Sequence, residues 1–157
     1  MKVYCPVLLS GKYLPTKYAG NEVPGGQNIS PPVSWGDVPG KTESFALTMV
    51  DKTQPGGGGI HWMLVNMSPS ARDVGEATSG VPDRLPRGSL EIRNSFGKLG
   101  YSGPQVKRGG GSREYLVTVY ALTRPLELGP FSSYEHVAEQ MDGKVSAQAT
   151  ASILFQV

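Results

Sequence analysis

The sequence predicts a mainly β domain with long loops, and three observations carry that prediction. Its 157 residues fall in the range of one domain and are too few to divide comfortably into two. Three runs, 43–51, 60–67 and 115–122, alternate or are dense in β-branched and aromatic residues, as buried strands are. The 21 glycines and 13 prolines gather in turn-like clusters between the apolar runs, which is punctuation for strands. An apolar content of 38% with 18% charged residues of both signs excludes a disordered tail and a membrane-embedded chain.

Along the chain, the stretch 3–9 is apolar but short, carries Pro6 and is followed by Lys12 and Lys17 in place of a small-residue cleavage site, so it is expected to be a strand and not a signal peptide. In 43–51, Phe45, Leu47, Met49 and Asp51 share one face while Ala46, Thr48 and Val50 share the other. The runs 60–67 and 115–122 follow as core strands, and 149–157 is a weaker candidate. One helix is expected: Ser132 with Glu135 makes a capping box, Tyr134, Val137, Ala138 and Met141 recur at helical spacing, and Gly143 stops the run. The stretches 13–38, 69–90 and 93–112 have no strong pattern, and loops of that length in a compact domain carry function.

A formal charge of +2, evenly spread, is not the footprint of a nucleic-acid binder. Cys5 is the single cysteine, so no intrachain disulfide forms, and a cytoplasmic location is expected. No apolar run approaches the length needed to cross a bilayer.

Chemistry concentrates where strands meet loops. Asp51 closes one central strand and His61 opens the next. A carboxylate beside an imidazole is expected to raise the histidine pKa and lower its own, giving a pair suited to holding an anion or moving a proton. Spacing alone also allows a turn-bound aspartate and an isolated histidine. In 94–104, Gly97, Gly100 and Gly103 allow backbone N–H groups to converge on a negative charge, although no Gly-Lys-Ser/Thr ending follows. Asp51, His61 and Ser102 are the residue types of a nucleophilic triad, but the surroundings of Ser102 miss the G-x-S-x-G elbow. His61 and His136 are far apart and no cysteine cluster joins them, so neither a metal nor a cofactor is expected.

The run Asn28-Ile29-Ser30-Pro31-Pro32-Val33-Ser34-Trp35, then Asp51 and Pro55, His61-Trp62 through Val65-Asn66, Gly100 to Pro104, and 115–122 resembles the phosphatidylethanolamine-binding protein family in its bacterial and archaeal, Raf-kinase-inhibitor-like branch. The order and spacing hold over most of the chain. The resemblance implies an antiparallel β-sandwich-like core with a few peripheral helices. It also implies an anion pocket of Asp51, Pro55, His61, Gly103, Pro104 and Tyr115, with a cis peptide before Pro55. Two segments depart from the family pattern: 51–55 lacks a proline and a second aspartate, Thr53 standing where that acid would be, and Arg113-Glu114-Tyr115 replaces a pocket histidine with Arg113. An inward-pointing Arg113 would strengthen anion attraction and weaken its dependence on pH.

What the resemblance implies in function is a binding module for a phosphorylated or carboxylated group, acting as a regulator or inhibitor of a kinase or serine protease, and not an enzyme. Two rivals stand beside it: a hydrolase built on the Asp51–His61 pair, and an interaction protein whose loops bind a partner while the pocket is vestigial. The apolar N-terminal strand is also compatible with a homodimer.

Overall fold

The computed structural model describes residues 1–54 and 59–157. Two antiparallel sheets form. The smaller, in the order β1-β2-β5, uses β1 (Lys2–Tyr4), β2 (Val33–Gly36) and β5 (Asp73–Val74). The larger, in the order β6-β4-β3-β7-β8, uses β3 (Ser44–Asp51), β4 (Ile60–Met67), β6 (Leu90–Ile92), β7 (Arg113–Leu122) and β8 (Val145–Phe155). One α-helix, α1 (Tyr134–Met141), and two 3-10 turns, Thr16–Tyr18 and Pro82–Arg84, complete the named elements.

The central strands are apolar on both faces because each face meets a separate core. Phe45, Leu47 and Met49 of β3 join Trp62 and Leu64 of β4, Val117 of β7, and Val33, Trp35 and Val74 of the small sheet in the larger cluster. On the opposite face Ala46, Ile60, Met63, Val65 and Ile92 pack with Leu126 and with Val137 of α1. Burying a side chain of this size is worth about 1.5–3 kcal/mol, so both strands are held firmly.

Several expectations are corrected. The N-terminal strand ends at Tyr4, because Cys5 onward turns, and a Leu8 N–H reaches back to the Cys5 carbonyl. The last strand begins earlier than expected, at Val145, and pairs with β7 from Leu122↔Val145 to Arg113↔Phe155. The helix is capped by Ser133, whose hydroxyl accepts the His136 N–H, while the Ser132 hydroxyl accepts the Gly129 N–H in the preceding turn. Val137 is buried, with Tyr134 and Met141 against the same cluster, but Ala138 faces solvent. Gly143 does end the helical region, at a φ of 74° where a side chain would be strained.

The stretch 60–67 matches β4 at both ends, yet the strand is irregular. Pairing with β3 shifts register twice, between Phe45 and Leu47 and between Met49 and Val50. In the first shift Asn66, at a φ of 59°, exchanges two hydrogen bonds with Leu126, Nδ2 to the carbonyl at 2.9 Å and the amide to Oδ1 at 2.7 Å. Asn66→Ala leaves both Leu126 groups without that partner and keeps the strained backbone. A loss of about 2 kcal/mol is expected in a urea unfolding series, and an unchanged midpoint would contradict this role.

Candidate functional site

The second irregularity in β4 sets the site. Met49 opposes Trp62 and Val50 opposes Ile60, so His61 is an extra residue in a β-bulge. With strict alternation Ile60 and Trp62 would share a face and His61 would point away from it. The bulge instead sends Ile60 to the cluster beneath α1 and Trp62 to the core between the sheets, and it turns the imidazole toward Tyr115. Bulges re-aim side chains in this way next to functional sites.

His61 is 3% exposed and closely held. Its Nδ1 lies 2.7 Å from the Ser102 carbonyl oxygen. A carbonyl only accepts, so Nδ1 carries the proton and, in the neutral ring, Nε2 is the acceptor. The Ser102 N–H returns a bond to the His61 carbonyl at 2.9 Å. Tyr115 and Phe96 wall the ring edge-on, each with its centroid 5.0 Å away.

Asp51 and Tyr115 are directly opposite in the β3–β7 ladder, which brings the acid to the same end of the sheet. The Asp51 carboxylate is buried. Its Oδ1 accepts the Thr53 N–H at 2.9 Å and the Thr53 hydroxyl at 2.7 Å, and its Oδ2 lies 3.7 Å from Nε of Arg113. The Arg113 Nη2 also donates to the Thr53 hydroxyl oxygen at 3.3 Å. Thr53 and Arg113, two of the departures from the family pattern, thus act together: both grip the carboxylate.

That arrangement changes the expected electrostatics. Burial depresses the His61 pKa below its ordinary 6.5, and this outweighs the upward pull of the Ser102 carbonyl and of Asp51. Asp51 acts on the imidazole through space while its Oδ1 accepts hydrogen bonds from Thr53. The expected charged pair is therefore a neutral histidine near an arginine-bound aspartate. Burial, followed by the Asp51 charge, raises the Tyr115 hydroxyl to about 12, so it stays a donor at neutral pH.

The glycine-rich loop does not present a cradle of free amides. The Gly97 N–H donates to the Asn94 carbonyl and the Gly100 N–H to that of Ile92, while the Gly103 N–H donates to Asn28 Oδ1 at 2.7 Å. Gly103 is required for packing: a Cβ there would run into the Tyr18 carbonyl and the Ala19 backbone. Pro104 is buried behind it, its carbonyl accepting the Gly20 N–H at 2.8 Å. The Ser102 hydroxyl accepts from Asn94 Nδ2 at 2.9 Å. Pro55 and the peptide before it fall outside the described residues. Among the described residues no group of three or more His, Cys, Asp or Glu could hold a metal ion, and no helix is long and apolar enough to cross a membrane.

Sequence reasoning missed Phe96, Asn28 and Asn94. Phe96 sits in a loop and remains 45% exposed, so no periodicity marks it. Asn28 belonged to a quoted motif, but its partner lies 75 positions away.

The family model described as phosphatidylethanolamine-binding protein matches residues 6–156. A UPF0098 protein of Methanothermobacter thermautotrophicus is 39% identical over 145 residues, covering 91% of this chain and 90% of its own. YbhB of Escherichia coli is 37% identical over 124 residues, 78% of each chain. The crystal structure of E. coli YbcL, described as a new member of the mammalian PEBP family, superposes with a TM-score of 0.87 at 27% identity, over 99% of this chain and 98% of that one.

A depressed histidine pKa fixes the sign of a pH effect. The unfolded chain takes up its proton near 6.5 and the fold resists it, so stability is lost as pH falls below that value and on through the lower folded pKa. His61→Asn keeps an N–H donor for Ser102 but does not titrate. Its melting temperature should fall less than that of the wild type between about pH 7.5 and about pH 5; parallel losses would contradict a buried neutral imidazole.

Proposed function

Because the chain belongs to the phosphatidylethanolamine-binding protein family, we propose that it is a binding protein whose site at His61 seats a small anion of the phosphate or phosphoethanolamine kind. The observation that carries this reading is the convergence, at one end of the large sheet, of a buried imidazole, the Tyr115 hydroxyl and the Asp51–Arg113 pair. Each has a role in it. The Tyr115 hydroxyl makes no hydrogen bond among the described residues and donates to a ligand oxygen. Arg113, partly exposed beside Asp51, supplies charge and a planar fork for an oxyanion.

His61, neutral in the free protein and fixed by Ser102, takes up a proton from solvent at Nε2 when a phosphate dianion binds, and donates it to a ligand oxygen. Binding then favours the protonated ring, and affinity rises as pH falls. The loop amides have little part, since they are already bonded within the protein.

A binding role is favoured over a hydrolase by the partners of Ser102. Its carbonyl, not its hydroxyl, meets the imidazole, and the hydroxyl is held by Asn94, so the pairing of nucleophile and base that a triad needs has no counterpart here. Regulation or inhibition of a kinase or serine protease rests on the family resemblance and is part of this reading, as is a cytoplasmic location, to which the lone buried thiol of Cys5 is suited.

Calorimetric titration with phosphoethanolamine tests the site. Tyr115→Phe should weaken binding about fivefold to tenfold, the value of one hydrogen bond, and Arg113→Gln by a similar factor. His61→Ala should weaken it further and abolish the rise in affinity toward acid pH. Equal affinities for all four proteins would remove the proposal, and His61-dependent turnover of a phosphoester would replace it with the hydrolase.

A further inference from the structure

A second polar cavity lies at the other end of β4. Ser68 follows the last residue of that strand while His61 is its second, which separates the two places by roughly 20 Å of extended chain. The groove has a volume of about 660 Å³, and its lining includes Ser68, Ser70, Arg72, Asp73, Arg84 and Arg87. That size suits a small-molecule site, and three arginines against one aspartate leave an excess of positive charge.

The groove is built before any ligand arrives. Arg72 Nη1 donates to the carbonyls of Pro69 at 2.9 Å and Ala71 at 2.7 Å, and its guanidinium lies over the Phe45 ring, 5.6 Å from the centroid. Its backbone carbonyl accepts the Trp35 N–H at 2.9 Å, fastening this wall to the small sheet. The Ser68 N–H donates to the Arg87 carbonyl at 2.9 Å, tying the two walls together. Arg84 ends the 3-10 turn that begins at Pro82, where the ring fixes the backbone. Among the described residues neither Arg84 nor Arg87 has an ion-pair partner, and Arg72 commits one of its three guanidinium nitrogens, leaving the rest for a ligand.

We propose that this groove is a second anion site, separate from the one at His61, and that it takes a small molecule carrying a diphosphate group. Planar guanidinium forks match phosphate oxygens in pairs, and a fixed Arg72 with two unpaired neighbours offers more donors than one monoanion uses. Asp73 reduces the positive charge of the groove without cancelling it, since three arginines stand against it. The Ser68 and Ser70 hydroxyls, 2.9 Å apart, supply two further groups that donate or accept.

Inorganic pyrophosphate is the probe. Added to the ¹⁵N-labelled protein, it should shift the amide signals of the non-proline residues in 68–75 and 84–87, separately from any response at His61 and Tyr115. Arg84→Gln with Arg87→Gln changes exposed positions and should weaken that response about tenfold or more, as the loss of two charge-assisted contacts requires. Arg84→Lys with Arg87→Lys keeps the charge and should recover only part of it. Shifts matched by sodium chloride at equal ionic strength, shifts that persist in the glutamine variant, or shifts confined to the His61 end would each overturn the proposal.

Discussion

An extra residue in β4 governs the site. Trp62 and Leu64 must fill the core between the sheets, and Ile60, Met63 and Val65 must fill the one beneath α1. An unbroken strand cannot place Ile60 and Trp62 on opposite faces, because its side chains alternate with a period of two. Inserting His61 between them satisfies both cores. The imidazole then has to lie in the only direction left to it, toward the sheet end where Asp51 and Tyr115 are already paired across the β3–β7 ladder. Its polarity is answered by a backbone group, the Ser102 carbonyl, which a buried ring N–H needs in order to avoid an unpaired donor.

The same constraint sets the character of the loop 94–104. To bring the Ser102 carbonyl to His61, the segment has to run close to the 18–20 backbone, and Gly103 is the residue that lets it pass. Asn28 and Asn94 then absorb the polar groups this creates, Asn28 at the Gly103 N–H and Asn94 at the Gly100 carbonyl and the Ser102 hydroxyl. The glycines of this stretch serve close packing and turn geometry. Positive charge comes from side chains instead, Arg113 near the His61 end of β4 and three arginines near the other.

Much of this was legible in the sequence for a simple reason: strands buried on both faces are long, apolar and β-branched, so β3, β4 and most of β7 announce themselves. Strands β2, β5 and β6, of four, two and three residues, are too short for periodicity and owe their existence to pairing with distant partners. The two register shifts in β4 were invisible, since a bulge depends on which core each side chain enters and not on residue type. For the same reason the histidine pKa was expected on the wrong side of its ordinary value. Proximity to Asp51 could be guessed from strand ends, but burial of the ring, and Thr53 and Arg113 holding the carboxylate, arise only on folding. The capping serine was displaced by one position because the spacing to Glu135 singles out Ser132, whereas the turn at Gly129 uses that hydroxyl and Ser133 caps the helix.

The central claim is that the bulge delivers a neutral imidazole with its proton on Nδ1, bound to Ser102, and Nε2 left as the acceptor. Long-range ¹H–¹⁵N correlation of the histidine side chains at neutral pH measures this directly, and His136, exposed on α1, provides an internal reference in the same spectrum. The account predicts that His61 shows the Nδ1–H tautomer and titrates below 6.5. An Nε2–H tautomer, or an imidazolium persisting at neutral pH, would contradict it.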